Sequence, residues 1–265
     1  MSSLSYFQRY LYHQITSQSE YKIHSPFVYE FYIQVLKGKT LPREMEAIEN
    51  RRKALLKDKG WIMIEDLGAG SRTNKGILEK RKISEMAKNA LKPPYLAQIL
   101  GRMALFMKVG SILELGTCFG ITTAYFSAYA SNANIITLEG SDPIAEIAKD
   151  SFSQLGLENI RLIQGNFDNH LTEALRLLKS TPKLFYLDGN HRKEPTLRYY
   201  EEIYPFIGEL DIMILDDIHW SEEMESAWET LKAKQEVLLS LDLFYFGILF
   251  FQKNRTKEDF RLRLF

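Results

Sequence analysis

The chain has 265 residues, 45% of them hydrophobic and 26% charged, with Lys+Arg and Asp+Glu equal at 34 each. That composition fits a globular protein of one large domain, or one domain with a smaller one appended. The charge balance gives no basic footprint for nucleic acid or an anionic membrane, and the single cysteine, Cys118, excludes a disulfide framework and a multi-cysteine zinc site.

The first residues, MSSLSYFQRYLYHQ, show no basic stretch followed by an apolar core, so they do not read as a secretory signal. The longest apolar tract, residues 243–251, is about half the length needed to cross a bilayer. A cytoplasmic protein with no membrane partner is the expectation.

Residues 1–108 read as a mainly helical cap. Leu4, Phe7, Leu11 and Ile15 follow helical spacing, with Tyr6, Tyr10 and Tyr12 adding an aromatic surface. Pro26 breaks the chain, and Phe27, Val28, Phe31, Tyr32 and Val35 outline a second helix that ends near Gly38. A third helix is predicted over residues 43–57 and a strand over 61–64. The string DLGAGS at 66–71 looks like a cofactor loop, but no apolar helix follows it, so it reads as a glycine turn. Helices over about 83–91 and 96–106 complete this part. Its aromatic residues suit a lid, a dimer contact or a helical core, the last being the default; a homodimer stays open.

From residue 109 onward, strand and helix alternate. Ile112, Leu113 and Leu115 form a short apolar run that suits a strand buried on both faces of a parallel sheet. A turn with Gly116 and Gly120 at its ends follows, then a helix with the stripe Ile121, Ala124, Tyr125 and Ala128. Strands are predicted at 134–139, 160–163, 184–187 and 212–215, each followed by a helix. Runs at 237–241 and 244–251 close the chain as an antiparallel pair, since only a short connection joins them.

Strand, glycine turn and helix N-terminus form a ligand cradle, because glycine admits close backbone approach and the helix start offers N–H groups and positive dipole charge. The spacing here is not the dinucleotide G-x-G-x-x-G: residues 114–120 read E-x-G-x-x-x-G. That string resembles the first motif of class I S-adenosylmethionine-dependent methyltransferases. The order of five strand–helix units and a terminal hairpin is similar to theirs over about residues 109–252. The resemblance implies an α/β Rossmann-like seven-stranded sheet, mostly parallel with a C-terminal antiparallel hairpin, over residues 109–265 behind the N-terminal helical cap.

Ligands of such sheets bind beyond the carboxyl ends of the strands. The resemblance places S-adenosylmethionine against Glu114, Gly116, Thr117, Cys118 and Gly120. Glu139, 23 residues past Gly116, then accepts from the ribose hydroxyls, with Gly140 beside it. Asn166 and Phe167 occupy the adenine position, and Asp188 lies at the end of the fourth strand.

Asp188, Asp216 and Asp217 stand at neighbouring strand ends, where three carboxylates repel unless a hard divalent ion joins them. This resembles the metal-dependent O-methyltransferases of the catechol and sugar types, and implies Mg²⁺ or another divalent cation on these three aspartates. Asp217 stands where the catechol enzymes carry asparagine. The segment 188–191, DGNH, is close to the D-G-x-H of sugar-type members, which implies His191 as the base that deprotonates a hydroxyl, with Asp188 as its catalytic neighbour. His219 and Trp220 are candidates to line the substrate pocket. The expected activity is O-methylation of a small molecule. The alternatives are a metal-free N- or carboxyl-methyltransferase and a non-catalytic S-adenosylmethionine-binding protein.

Overall fold

The computed structural model of the chain describes residues 3–65, 78–253 and 256–264. In chain order the elements are α1 (Ser3–Thr16), α2 (Pro26–Phe31), α3 (Met45–Lys57), β1 (Trp61–Glu65), β2 (Leu78–Lys82), α4 (Ile83–Ala90) and α5 (Pro94–Phe106). Next come β3 (Ser111–Leu115), α6 (Ile121–Tyr129), β4 (Asn134–Glu139), α7 (Asp142–Gln154), β5 (Ile160–Gln164) and α8 (Phe167–Arg176). The chain ends with β6 (Lys183–Leu187), α9 (Lys193–Ile203), β7 (Ile212–Asp216), α10 (Glu222–Lys232), β8 (Leu239–Asp242), β9 (Phe246–Phe250) and β10 (Glu258–Arg261). The alternation of strand and helix expected after residue 109 is therefore present.

Two compact units emerge, Lys39–Ser180 and the pair of segments Met1–Gly38 with Thr181–Phe265. Helices α1 and α2 thus fall in the same unit as the C-terminal strands. The string at 66–71 lies outside the described residues.

In the unit Lys39–Ser180, β3 pairs in parallel with β4 and β4 with β5, setting Leu115 beside Leu138 and Glu139 beside Gln164. All five residues of β3 are buried, as its unbroken apolar run requires. The predicted stripe of α6 sinks Ile121, Ala124 and Tyr125 into a cluster with Ile48 and Leu55 of α3, Ala87 of α4 and Ala97 of α5. The Tyr125 hydroxyl donates to Glu49 at 2.5 Å, and Arg52 Nε donates to the same carboxylate at 2.9 Å. The start of α6 is thus fixed on its apolar face by three other helices. Strands β1 and β2 pair antiparallel, Trp61 opposite Lys82. The sequence LEKRK of β2 is mostly solvent-facing and has no apolar alternation, which is why the sequence did not reveal it.

In the other unit the strand order is β10-β8-β9-β7-β6. β6 and β7 are parallel, β7 and β9 antiparallel, and β9 pairs antiparallel with β8 as the predicted terminal hairpin. Charged β10 adds a strand that the pattern did not predict, parallel to β8 with Glu258 beside Leu239.

Helix α1 forms where its spacing predicts, but it docks by a different face. Phe7, Leu11 and Ile15 of the expected apolar stripe are exposed, Ile15 by 80%. The buried face carries His13, and Tyr6 and Tyr10 stand edge-on to Phe244 at ring separations of 5.3 and 5.1 Å. Polar partners complete the attachment: Arg9 pairs with Glu225 at 2.9 Å, and Arg261 donates to Thr16 at 2.6 Å. A buried polar anchor outweighs apolar periodicity here because an unpaired buried charge costs more than an exposed leucine.

Candidate active site

Beyond β3 the chain enters the left-handed region three times, at Gly116 (φ 102), Cys118 (φ 49) and Gly120 (φ 79). Glycine takes this conformation freely, whereas a side chain there is strained unless its surroundings hold it. The hold on Cys118 is a backbone one: its amide donates to Glu139 Oε2 at 2.9 Å. The amides of Gly116 and Thr117 both donate to the Leu138 carbonyl, at 3.0 and 3.1 Å, and Gly120 donates back to Thr117 O at 2.9 Å. The end of β4 therefore templates the turn after β3.

Glu139 also accepts from the Ser141 amide through Oε1 at 3.0 Å. Burial pushes its pKa above the usual carboxylate value, while the amides of Ser141, Cys118 and Gly140 pull in the opposite direction. Glu114 lies behind the turn and is wholly buried. Its Oε2 accepts from the hydroxyls of Thr123 at 2.5 Å and Thr137 at 2.6 Å. After β5, Asn166 is exposed and caps α8, its side-chain oxygen accepting from the Asp168 amide at 3.0 Å. Phe167 is half-buried in the first turn of that helix.

In the other unit, Asp188, His191 and Asp216 each offer a ligand atom, all within 4.8 Å of one another. His191 Nε2 lies 3.6 Å from Asp188 Oδ1. The Tyr186 hydroxyl stands between the two acids, 3.0 Å from Asp188 Oδ2 and 3.2 Å from Asp216 Oδ1. Tyr186 and Asp188 are two residues apart along one strand direction, hence on one face, and β7 pairs in register beside β6 to bring Asp216 alongside. Two carboxylates so close form a donor set that suits a hard divalent cation, with the His191 imidazole beside it.

Asp217 is not a member of this group. It is left-handed (φ 52), and its amide donates to the Tyr245 carbonyl at 2.8 Å. His219 is committed elsewhere as well. Its Nδ1 lies 3.0 Å from Glu225 and its Nε2 3.0 Å from Asp242, with the ring stacked on Phe244 at 5.2 Å. Both ring nitrogens have acidic partners, which favour the imidazolium form and raise its pKa despite burial, so the ring has a structural role. Trp220 remains 56% exposed, edge-on to Tyr6 at 5.7 Å.

Residues 113–218 match the family model described as a methyltransferase domain. Over that stretch the chain is similar to a methyltransferase domain. Solved methyltransferase structures share the fold along most of its length. The Podospora anserina methyltransferase PaMTH1, bound to S-adenosylhomocysteine, superposes with a TM-score of 0.58 at 13% identity, covering 96% of this chain and 97% of that one. The Bacillus cereus O-methyltransferase in complex with S-adenosylhomocysteine gives 0.52 at 17% identity, over 84% and 96%. The Streptomyces achromogenes O-methyltransferase TomG, solved with S-adenosylmethionine and involved in tomaymycin synthesis, gives 0.52 at 13% identity, over 62% and 82%. A search of curated proteins finds no match.

Sequence reasoning missed two participants in this site. Tyr186 reads as one more apolar strand residue, and only its spacing of two from Asp188 hints that both share a face. Thr137 is a lone hydroxyl inside the strand NIITLE, and it bonds both Glu114 and Thr117.

Proposed function

We propose that the chain transfers a methyl group from S-adenosylmethionine to a hydroxyl oxygen of a small molecule, with a divalent cation at the acidic cluster. The observation that carries the cofactor assignment is the left-handed 116–120 turn tied to Glu139 at the end of β4. A carboxylate has about four lone-pair sites. The Glu139 oxygens accept from the Cys118 and Ser141 amides, with the Gly140 amide beside them, and keep capacity for a ribose hydroxyl.

When bound, the cofactor supplies an electrophilic methyl on sulfonium, and a cation lowers the pKa of a hydroxyl next to it. The chain's own residues have simpler tasks. Asp188 and Asp216 would hold the cation, and Tyr186 orients both carboxylates by its hydroxyl. His191, a quarter exposed, takes the proton of the acceptor hydroxyl on its imidazole. Among the described residues no helix is long and apolar enough to cross a membrane.

Titration calorimetry with S-adenosylhomocysteine, and methyl transfer to a panel of hydroxylated acceptors with and without EDTA, test the reading. Binding with EDTA-sensitive transfer supports it. Transfer undiminished by EDTA favours the metal-free alternative, and binding without transfer to any acceptor favours the non-catalytic one.

A further inference from the structure

The buried polar network behind the glycine turn has a direction. Thr137 Oγ1 lies 2.6 Å from Glu114 Oε2 and 2.6 Å from Thr117 Oγ1. The carboxylate oxygen can only accept, so the single Thr137 proton goes to Glu114. Thr137 must then accept from Thr117. Thr123, in the first turn of α6, donates to the same Glu114 oxygen at 2.5 Å. One buried acceptor on β3 therefore fastens β4, the turn and the start of α6. Glu114, Thr123 and Thr137 are fully buried and Thr117 is 2% exposed, so none of these side chains is turned toward solvent.

We infer that Glu114 is a positioning residue: through Thr137 and Thr117 it holds the 116–120 turn in the conformation that receives the cofactor. The inference rests on the S-adenosylmethionine reading above, and it assigns Glu114 and Thr117 a different task from the direct ligand contact that resemblance implied. Its physical basis is the strain in the turn. Cys118 sits at φ 49, a region that non-glycine residues occupy only when neighbouring contacts enforce it. Glu139 holds the turn from the strand end through the Cys118 amide. The threonine relay holds it from inside the sheet. A turn released from the relay populates other conformations, and the affinity for a ligand falls by the fraction of molecules no longer competent.

The experiment compares the full-length wild type with Thr137→Val, which keeps the shape and removes the relay, and with Thr137→Ser, which keeps the hydroxyl. Calorimetry with S-adenosylhomocysteine measures affinity, and amide deuterium exchange reports on the 116–120 turn. Thr137→Val is expected to bind about five- to tenfold more weakly, with faster exchange in the turn, the scale of one lost hydrogen bond. Thr137→Ser is expected to stay within about twofold of wild type on the same scale. A folded Thr137→Val protein with wild-type affinity and exchange overturns the inference, as does a serine variant impaired as much as the valine one. If Thr137→Val does not fold, Thr117→Val takes its place, since it leaves both Glu114 hydrogen bonds intact, and it must show the same loss. A wild type that binds no S-adenosylhomocysteine overturns the cofactor reading itself, which separates that failure from failure of the relay.

Discussion

The Cys118 amide donates to the Glu139 carboxylate over 2.9 Å, so the turn after β3 is closed by the side chain at the end of β4. The same carboxylate that would receive a ribose thus shapes the cradle before any ligand arrives. Removing it should act twice, on a direct contact and on the turn. Glu139→Ala should weaken S-adenosylhomocysteine binding by about 1.5–3 kcal/mol, the scale of a charge-assisted hydrogen bond. Undiminished calorimetric affinity in this variant would contradict the cofactor assignment.

Gly120 makes a purely steric demand in the cradle. It is left-handed, and a Cβ placed on it would lie 2.5 Å from the Phe152 ring. Gly120→Ala should therefore lower unfolding free energy by about 1–3 kcal/mol in urea titration, from overpacking and backbone strain together. Gly156 offers the control, being left-handed too (φ 64) but with open space around it. Its alanine variant should carry the backbone strain alone and lose less; equal losses would show that the Phe152 contact is unimportant.

Asp188 and Asp216 should bind a divalent cation with Tyr186 keeping them in place. Mn²⁺ or Mg²⁺ should raise the melting temperature of wild type and leave Asp216→Asn unmoved. Stabilisation of about 2.7 kcal/mol is expected at a hundredfold excess of metal over Kd. EDTA should abolish methyl transfer while cofactor affinity stays within a few-fold. No thermal shift with either metal, in a protein that remains active in EDTA, rules the cation out.

His191→Gln tests the base. General-base removal costs about 10²–10⁴ in rate, so kcat should fall by that range while S-adenosylhomocysteine binds as before. A folded variant that turns over at the wild-type rate excludes His191 from proton transfer.

A pH-dependent contribution to stability is built around Asp242. This buried carboxylate receives His13 Nε2 at 3.1 Å, His219 Nε2 at 3.0 Å and Arg261 Nε at 3.2 Å, while Glu225 faces the other side of His219. Burial alone would raise the pKa of Asp242, but the hydrogen bonds and charges of His13 and His219 overcome it and hold it far below the usual carboxylate range. Burial likewise tends to lower His219, yet Asp242 and Glu225 together raise it. A depressed acid contributes stability above its unfolded pKa, about 3.9, and loses it in more acid solution. A raised histidine contributes fully below its unfolded pKa, about 6.5, and loses that contribution as pH rises through its folded value. The network should thus be most stabilising between about pH 4 and 6.5. Asp242→Asn should destabilise by about 3–5 kcal/mol, as breaking a buried pair does, with a larger deficit at pH 5.5 than at pH 9. A deficit of the same size at both values would mean that His219 titration is not coupled to folding.

Local periodicity was enough to place β3, α6 and β4 and the glycine turn between them. A strand covered on both faces must be continuously apolar, a packed helix must carry a stripe, and a reversal at φ 79 favours glycine at position 120. Glu139 and the acids at 188 and 216 could be placed at strand ends for a related reason: the strands could be counted.

Which side chains meet is a different matter, because it depends on contacts between residues far apart in the chain. His13 and Asp242 are separated by 229 positions, and their meeting turned α1 away from its apparent apolar stripe. Asp216 and Asp217 are indistinguishable in sequence. The pairing of β7 with β6 brings Asp216 to the Tyr186 hydroxyl, while the left-handed Asp217 gives its amide to Tyr245. His219 looked available and is locked between two acids; Thr137 looked like any strand residue and links Glu114 to the turn. The sequence by itself determined the elements that carry an apolar period, not the charged β2 and β10, because period and turn chemistry act over a few residues. Tertiary structure alone decided the partners, because hydrogen bonds and burial act across whichever segments the fold brings together.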